Sequence, residues 1–501
     1  MVAPCLSFFF PSCLAHRRWL ERPIESPRLE IRSIRLEKTS PGDAVLEPLP
    51  LVDEWGQWIP GDWPDKARSI ADLRDDWRAE AARLANGGAR EGYSRFGGFA
   101  HARTSGTGFF RVEQVDGKWW FVDPEGHLFL SVGSNVMRPE MWTRTAGREA
   151  FFGELPPGGL LAERRLGDDV GASFYTWNLA RRFGSDWRPR WVDFSLRRME
   201  HWGFNTIANW SDPSLWRAAR QPYVLQFSWD FKLTYLGLPD IYSEEVAQAL
   251  DNAARRQCGP LRDDPWLLGY FLANEPPFPQ RAQQTAELIL SGPDTATRQA
   301  LRQWLNEGDT PQRRARFIDD AFDRYVQMAS AAVRRHAPHH LNLGMRSGGR
   351  PTEAELRVSR AFDVYSVNIY DYQLSPERMN EITELTGKPV IIGEFHFGVP
   401  GRGLSAGLVQ VKDQHERGVA YRYYVEQAFA MPGVIGTHWF QWVDQPPTGR
   451  FDGENYNIGV VDVTDRPYAE LVDAMRLTHQ RLFQVHSGTE PPFAHGAHVR
   501  R

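Results

Sequence analysis

Cysteine is scarce in this chain: Cys5, Cys13 and Cys258 are the only three in 501 residues. Three thiols cannot build a multi-bridge framework, and none stands at metal-ligand spacing, so neither a disulfide-stapled scaffold nor a cysteine zinc site is expected. An excess of one charge is missing too, since 59 Lys+Arg against 63 Asp+Glu leave a net charge of -4 with both signs interspersed. No basic field exists for nucleic acid or an anionic membrane surface. No run reaches the ~18 apolar residues that span a bilayer. The apolar start, residues 2–15, carries its basic residues (His16, Arg17, Arg18) after the apolar run and is broken by two prolines, which speaks against a signal peptide. The cellular address stays open between cytoplasmic and exported. Also absent are GxSxG, HExxH, GxGxxG and GxxxxGK[ST], which leaves serine-hydrolase, zinc-protease, dinucleotide and P-loop chemistry without footing. No histidine spacing argues for a metal, and no cofactor is expected.

What the chain has is a large apolar fraction, 42%, and many aromatic residues: 19 Trp, 15 Tyr and 29 Phe. Most of these rings fill a core, and the remainder offer flat faces that stack on the apolar face of a sugar. With charge nearly balanced, a neutral substrate is the natural partner.

Residues 28–37, RLEIRSIRLE, alternate charged and apolar side chains at a period of two, as a half-buried strand does. This strand is either the last of a β-sandwich or an edge strand added to the main domain. A Pro/Gly-bearing linker follows, and then residues 68–86 have helical spacing. From about residue 109 the pattern changes. After a hairpin marked by Asp116-Gly117, eight short apolar runs alternate with amphipathic stretches such as 190–202, 312–336 and 414–430. The runs are 128–135, 204–212, 223–230, 267–276, 341–347, 363–372, 389–398 and 433–444. This alternation predicts an α/β fold, a (β/α)8 TIM barrel with a short N-terminal strand and linker remnant. The expected division is 1–45 as an N-terminal segment, 46–108 as linker and flanking helix, 109–485 as catalytic barrel and 486–501 as a flexible tail.

Each run turns polar or aromatic at its C-terminal end, the end that opens onto the functional face of a barrel. Asn135, Asn209, Asp230, Glu275, Arg346, Tyr370, Glu394 and Trp439 all stand near such ends. Glu275 ends the fourth run and Glu394 the seventh, strands that face one cavity. Cleavage of a glycosidic bond with retention needs two carboxyls ~5 Å apart, one to protonate the leaving oxygen and one to attack the anomeric carbon. Glu275 is the candidate acid/base and Glu394 the candidate nucleophile. Asn274 offers an amide to a sugar hydroxyl next to the reacting carbon. Tyr370 and Arg346 are placed to hold Glu394 as a carboxylate. His396 is expected to contact a catalytic group or a sugar hydroxyl, Asn209 to line the site, and Trp439 and Trp442 to form a stacking platform. The polar loop 448–455, with Glu454, is expected to touch substrate, and His438 is read as a structural, hydrogen-bonded histidine.

Asn274-Glu275 and Glu394 resemble the pattern of the retaining (β/α)8 glycosidase clan, whose acid/base follows an Asn at the end of strand four and whose nucleophile ends strand seven. Longer stretches resemble the β-agarases of glycoside hydrolase family 50: VDEWGQWIPGDWPDK (52–66), WWFVDPEGHLFLSVGSN (119–135), NTIANWSD (205–212), GEFHFG (393–398) and HWFQWVDQPPTGRFDGENYNIGVVDVTDRPY (438–468). The resemblance spans roughly 50–480 and implies cleavage of β-1,4 bonds in agarose or its oligosaccharides. It also implies a carbohydrate-binding β-sandwich ahead of the barrel, of which only 28–37 has a counterpart here. The alternatives are a β-galactosidase or other β-glycanase of the clan, and a carbohydrate-binding barrel without turnover.

Overall fold

A computed structural model describes residues 49–85, 92–157, 164–166, 169–219, 221–229, 231, 233–348 and 351–495. The expected strand at 28–37, the apolar start and Asp230 lie outside the described residues.

All eight apolar runs enter one parallel sheet. Its strands are β1 (Ser131–Ser134), β2 (Thr206–Ile207), β3 (Tyr223–Gln226), β4 (Leu267–Phe271), β5 (Leu341–Asn342 with Ser347–Gly348), β6 (Tyr365–Asn368), β7 (Val390–Phe395) and β8 (Val434–Trp439). The fourth, seventh and eighth are buried at every position. Burial on both faces is what makes them read as continuous apolar runs without alternation.

The sheet counts nine segments because the fifth run is split, and its two halves form the two edges. Leu341–Asn342 pairs with β4, and Ser347–Gly348 pairs with β6. Between them Gly344 (φ +78°) and Arg346 (φ +52°) turn the chain out of extended geometry. Leu272 N–H still donates to Gly344 O on the β4 side (2.7 Å). Arg346 N–H donates to Ser366 Oγ on the β6 side (2.7 Å). One stretch thus bonds to both neighbours, and the sheet curls round onto itself.

The expected crossover helices are present as Trp187–Trp202, Pro311–His336 and Gln414–Ala430. The second starts where Thr310 accepts from Arg313 N–H and Pro311 takes the first turn, where its missing N–H leaves no donor unpaired. The Asp116-Gly117 hairpin joins Arg111–Val115 to Lys118–Val122, both turn residues having positive φ. No helix among the described residues is long and apolar enough to cross a membrane.

Of the expected boundaries, the one at 485 needs correction. The expected flanking helix is present as Ile70–Ala85 and is bound to the main domain. Its Glu80 accepts from Arg198 Nε and Nη2 (2.8 Å each), and Arg198 Nη1 reaches Asp465 (2.6 Å). Arg182 bridges the same two carboxylates, Tyr175 donates to Asp465 (2.9 Å), and Trp77 donates to Thr464 O. Burial alone would raise the Asp465 carboxyl, but Arg198 and Arg182 outweigh it and hold it below its ordinary value. At the other end, position 485 falls inside the helix Ala469–Ser487. His486 is fully buried against Phe429 O and Trp119 O, and Phe493 is tied to Glu426 and Gln427, so the segment to 493 is fastened to the helix Gln414–Ala430.

Removing one member of this buried cluster strands a charge away from water. Asp465→Ala is expected to lower unfolding free energy by about 3–5 kcal/mol. Breaking the exposed Arg197–Asp193 pair is expected to lose less than about 1 kcal/mol. Urea midpoints read both, and an Asp465→Ala protein as stable as wild type contradicts the account.

Candidate active site

The seventh strand ends Gly393-Glu394-Phe395, and the glycine is required by what lies beside it. A Cβ there would sit 2.8 Å from Asn368 Oδ1 and 3.1 Å from Arg346 Nη1. The bare backbone lets the Arg346 guanidinium lie against the strand. Arg346 is fully buried and donates from Nη2 to Glu394 Oε1 (2.7 Å) and from Nε to Asn274 Oδ1 (2.8 Å). The other Glu394 oxygen accepts a short hydrogen bond from the Tyr370 hydroxyl. Burial, with the neighbouring Glu394 charge, pushes that hydroxyl well above its ordinary range, so Tyr370 keeps its proton and donates it.

Glu275 lies past the end of β4 with φ +46°, its N–H donating to Met345 O (3.3 Å). As a residue it is open to solvent, and its carboxyl is engaged on one side. Asn368 Nδ2 donates to Oε1 (2.8 Å), and a Cβ on Gly348 would stand 3.3 Å from the carboxyl carbon. Asn368 pairs in register with Glu394 on the next strand and also reaches Asn274 Oδ1 (3.3 Å). The two glutamates are therefore ends of one bonded chain: Glu394, Arg346, Asn274, Asn368, Glu275. Desolvation raises the Glu275 carboxyl above its ordinary value, and the Glu394 charge raises it further against the opposing Asn368 bond and Arg346 charge. One carboxyl is biased toward the acid form, and the other is held by two donors. Asn274 spends its oxygen on this chain, while its Nδ2 makes no hydrogen bond among the described residues.

Of the residues expected in the site, the structure brings together Glu275, Glu394, Asn274, Arg346 and Tyr370. Glu454 comes close enough for its charge to act on Glu275, and it accepts from Arg450 (2.7 Å) and Gln445 (3.0 Å). Asn209 is buried at the end of β2, where its amide donates to Gln226 (3.0 Å), and it bonds neither carboxyl among the described residues. His396 corrects the expectation placed on it. Its Nδ1 faces Phe440 O (3.1 Å), its Nε2 accepts from Leu408 N–H (2.9 Å), and burial pushes its pKa down to about 3, so it is a neutral brace between backbone segments. Trp439 and Trp442 are likewise not a platform, because both are fully buried and Trp439 donates to Gln441 O and Ile458 O. His438 is buried against Ser131 Oγ (2.9 Å), as a structural histidine is. Asn368 is the residue that sequence reasoning missed, although it is the one side-chain amide inside the run YSVNIY.

A groove of about 760 Å³ lies elsewhere, lined by Asp76, Arg83, Asp473 and Arg476, and contains neither glutamate. Among the described residues no group of three or more His, Cys, Asp or Glu is arranged to hold a metal ion.

No family model matches the chain. β-Agarase B of Vibrio sp. (strain JT0107) is 28% identical over 93% of this chain and 58% of its own length. β-Agarase A of the same organism is 29% identical over 74% of this chain and 45% of its own. The crystal structure of an agarase superposes with a TM-score of 0.79 at 29% identity, covering 87% of this chain and 73% of that one. The structure of an exo-β-agarase gives 0.80 at 28%, covering 88% and 74%. The chain is similar to β-agarases. It spans about half the length of the curated relatives it matches, and the family-50 likeness read from its sequence holds in its fold as well.

The bonded chain between the glutamates makes a titration prediction. Glu394→Gln removes the charge that raises Glu275, so the Glu275 pKa should fall; Asn368→Ala removes the bond favouring the ionised form, so it should rise. Carboxyl carbon NMR reads both, and shifts of the reverse sign contradict the described geometry.

Proposed function

We propose that this chain is a retaining glycoside hydrolase of β-linked galactosides, acting on the β-1,4 bonds of agarose or agaro-oligosaccharides. The observation that carries the proposal is the carboxyl pair, Glu275 proton-biased and Glu394 clasped by Arg346 and Tyr370. The curled sheet supports reading the fold as a (β/α)8 barrel. The catalytic unit then runs from 109 to the fastened segment near 493, with 46–108 packed on its flank.

In the first step Glu394 attacks the anomeric carbon while Glu275 gives its proton to the departing glycosidic oxygen, so the C–O bond breaks as the glycosyl ester forms. Glu275, now a carboxylate, takes a proton from water, whose oxygen attacks the same carbon and releases Glu394. Two inversions leave the sugar with its original β configuration. Arg346 and Tyr370 keep Glu394 aimed, each donating to one of its carboxyl oxygens. Asn274 Nδ2 is the donor left for the hydroxyl beside the reacting carbon, a contact that strengthens in the transition state.

Incubation with agarose, agaro-oligosaccharides and an aryl β-galactoside tests this. β-Configured first products are expected, with a loss of about 10²–10⁴-fold for Glu275→Ala and a larger one for Glu394→Ala, which has no nucleophile. The kcat/KM profile should fall on the alkaline side as Glu275 loses its proton through its raised pKa. No galactan turnover, or α-configured products, would refute the proposal.

A further inference from the structure

The buried Trp439 and Trp442 leave open what a sugar ring would lie on, and the same face of the sheet carries a second set of rings. Trp210, past the end of β2, is half-buried and held at φ +59°, a conformation rare for a bulky side chain. The Arg346 guanidinium lies 4.7 Å from its ring centre. Phe440 meets Trp210 edge to face at 6.4 Å. The Arg450 guanidinium then sits 5.7 Å from Phe440 and 5.4 Å from Phe451. From the arginine that holds Glu394 the series runs outward through Trp210 and the buried Phe440 to Arg450 and then Phe451.

The outermost ring, Phe451, is 53% exposed. A single exposed phenylalanine is ordinary by itself; its setting is not. It tops a turn closed by Arg450 N–H to Glu454 O (2.8 Å) and Gly453 N–H to Arg450 O (2.9 Å). The turn's base is fastened by Thr143 Oγ1 to Gly449 O (2.7 Å). Arg450 is fixed by Asp452 and Glu454 (2.7 Å each). The ring is therefore presented on a braced support, flanked by polar groups suited to hydroxyls.

We propose that Trp210 and Phe451 form a stepped track for sugar units beyond the cleaved bond, the buried Phe440 backing Trp210, with Phe451 as an outer stacking subsite that favours longer chains. This rests on the glycosidase reading above and names the part of the site that grips the oligosaccharide.

The test compares kcat/KM on agaro-oligosaccharides of increasing length and on an aryl β-galactoside for wild type, Phe451→Ala and Phe451→Tyr. For Phe451→Ala the preference for the longest chain over the aryl galactoside should fall about tenfold, mainly through KM, while Phe451→Tyr keeps it. A loss equal at all lengths, no loss, or a change in oligomeric state on gel filtration in place of a length effect overturns the proposal. Calorimetric titration with the longest oligosaccharide separates the two readings. Binding without cleavage that weakens in Phe451→Ala sustains the track and sinks only the catalytic reading, and neither binding nor cleavage sinks both.

Discussion

The Arg346 guanidinium has no exposure to water, and a buried cation persists only where acceptors meet it. Glu394 and Asn274 are those acceptors, and the surrounding architecture follows from bringing them there. The fifth strand breaks so that Arg346 can turn inward, Gly393 keeps the seventh strand bare beneath the guanidinium, and Trp210 and Phe271 lie against it. The placement of Glu275 depends on the same group, through the hydrogen bonds of Asn274 and Asn368. Arg346 is accordingly a positioning residue for both glutamates.

Much of this was legible in the sequence. A strand buried on both faces must be apolar throughout, so eight such runs marked the sheet, and the polar residue at each C-terminal end marked the functional face. Glu275, Glu394, Asn274, Arg346 and Tyr370 emerged on that logic. The Asp116-Gly117 turn was equally plain, because its two residues tolerate the positive φ that the hairpin needs.

The rest depended on facing and on distance. Trp439 and Phe440 are adjacent aromatics, and only the strand's orientation decides that the first joins the main core while the second is buried in a smaller cluster against Trp210. His396 looked available because its backbone partners, Phe440 O and Leu408 N–H, cannot be read from side-chain identity. Asn368 disappeared inside an apolar run. The Glu80, Arg198, Asp465 cluster was invisible because its members stand hundreds of positions apart, so the flanking helix Ile70–Ala85 could be expected while the ion pairs that bind it could not.

In the proposed double displacement Glu394 becomes covalently attached to the sugar. A 2-deoxy-2-fluoro-β-galactosyl donor with a good leaving group slows both steps but the second more, so the ester should accumulate. Proteolysis and mass spectrometry should then find a single fluorogalactosyl group on the peptide carrying Glu394. A label on any other carboxyl, or an unlabelled protein that turns over substrate to an α-configured product, would contradict the account.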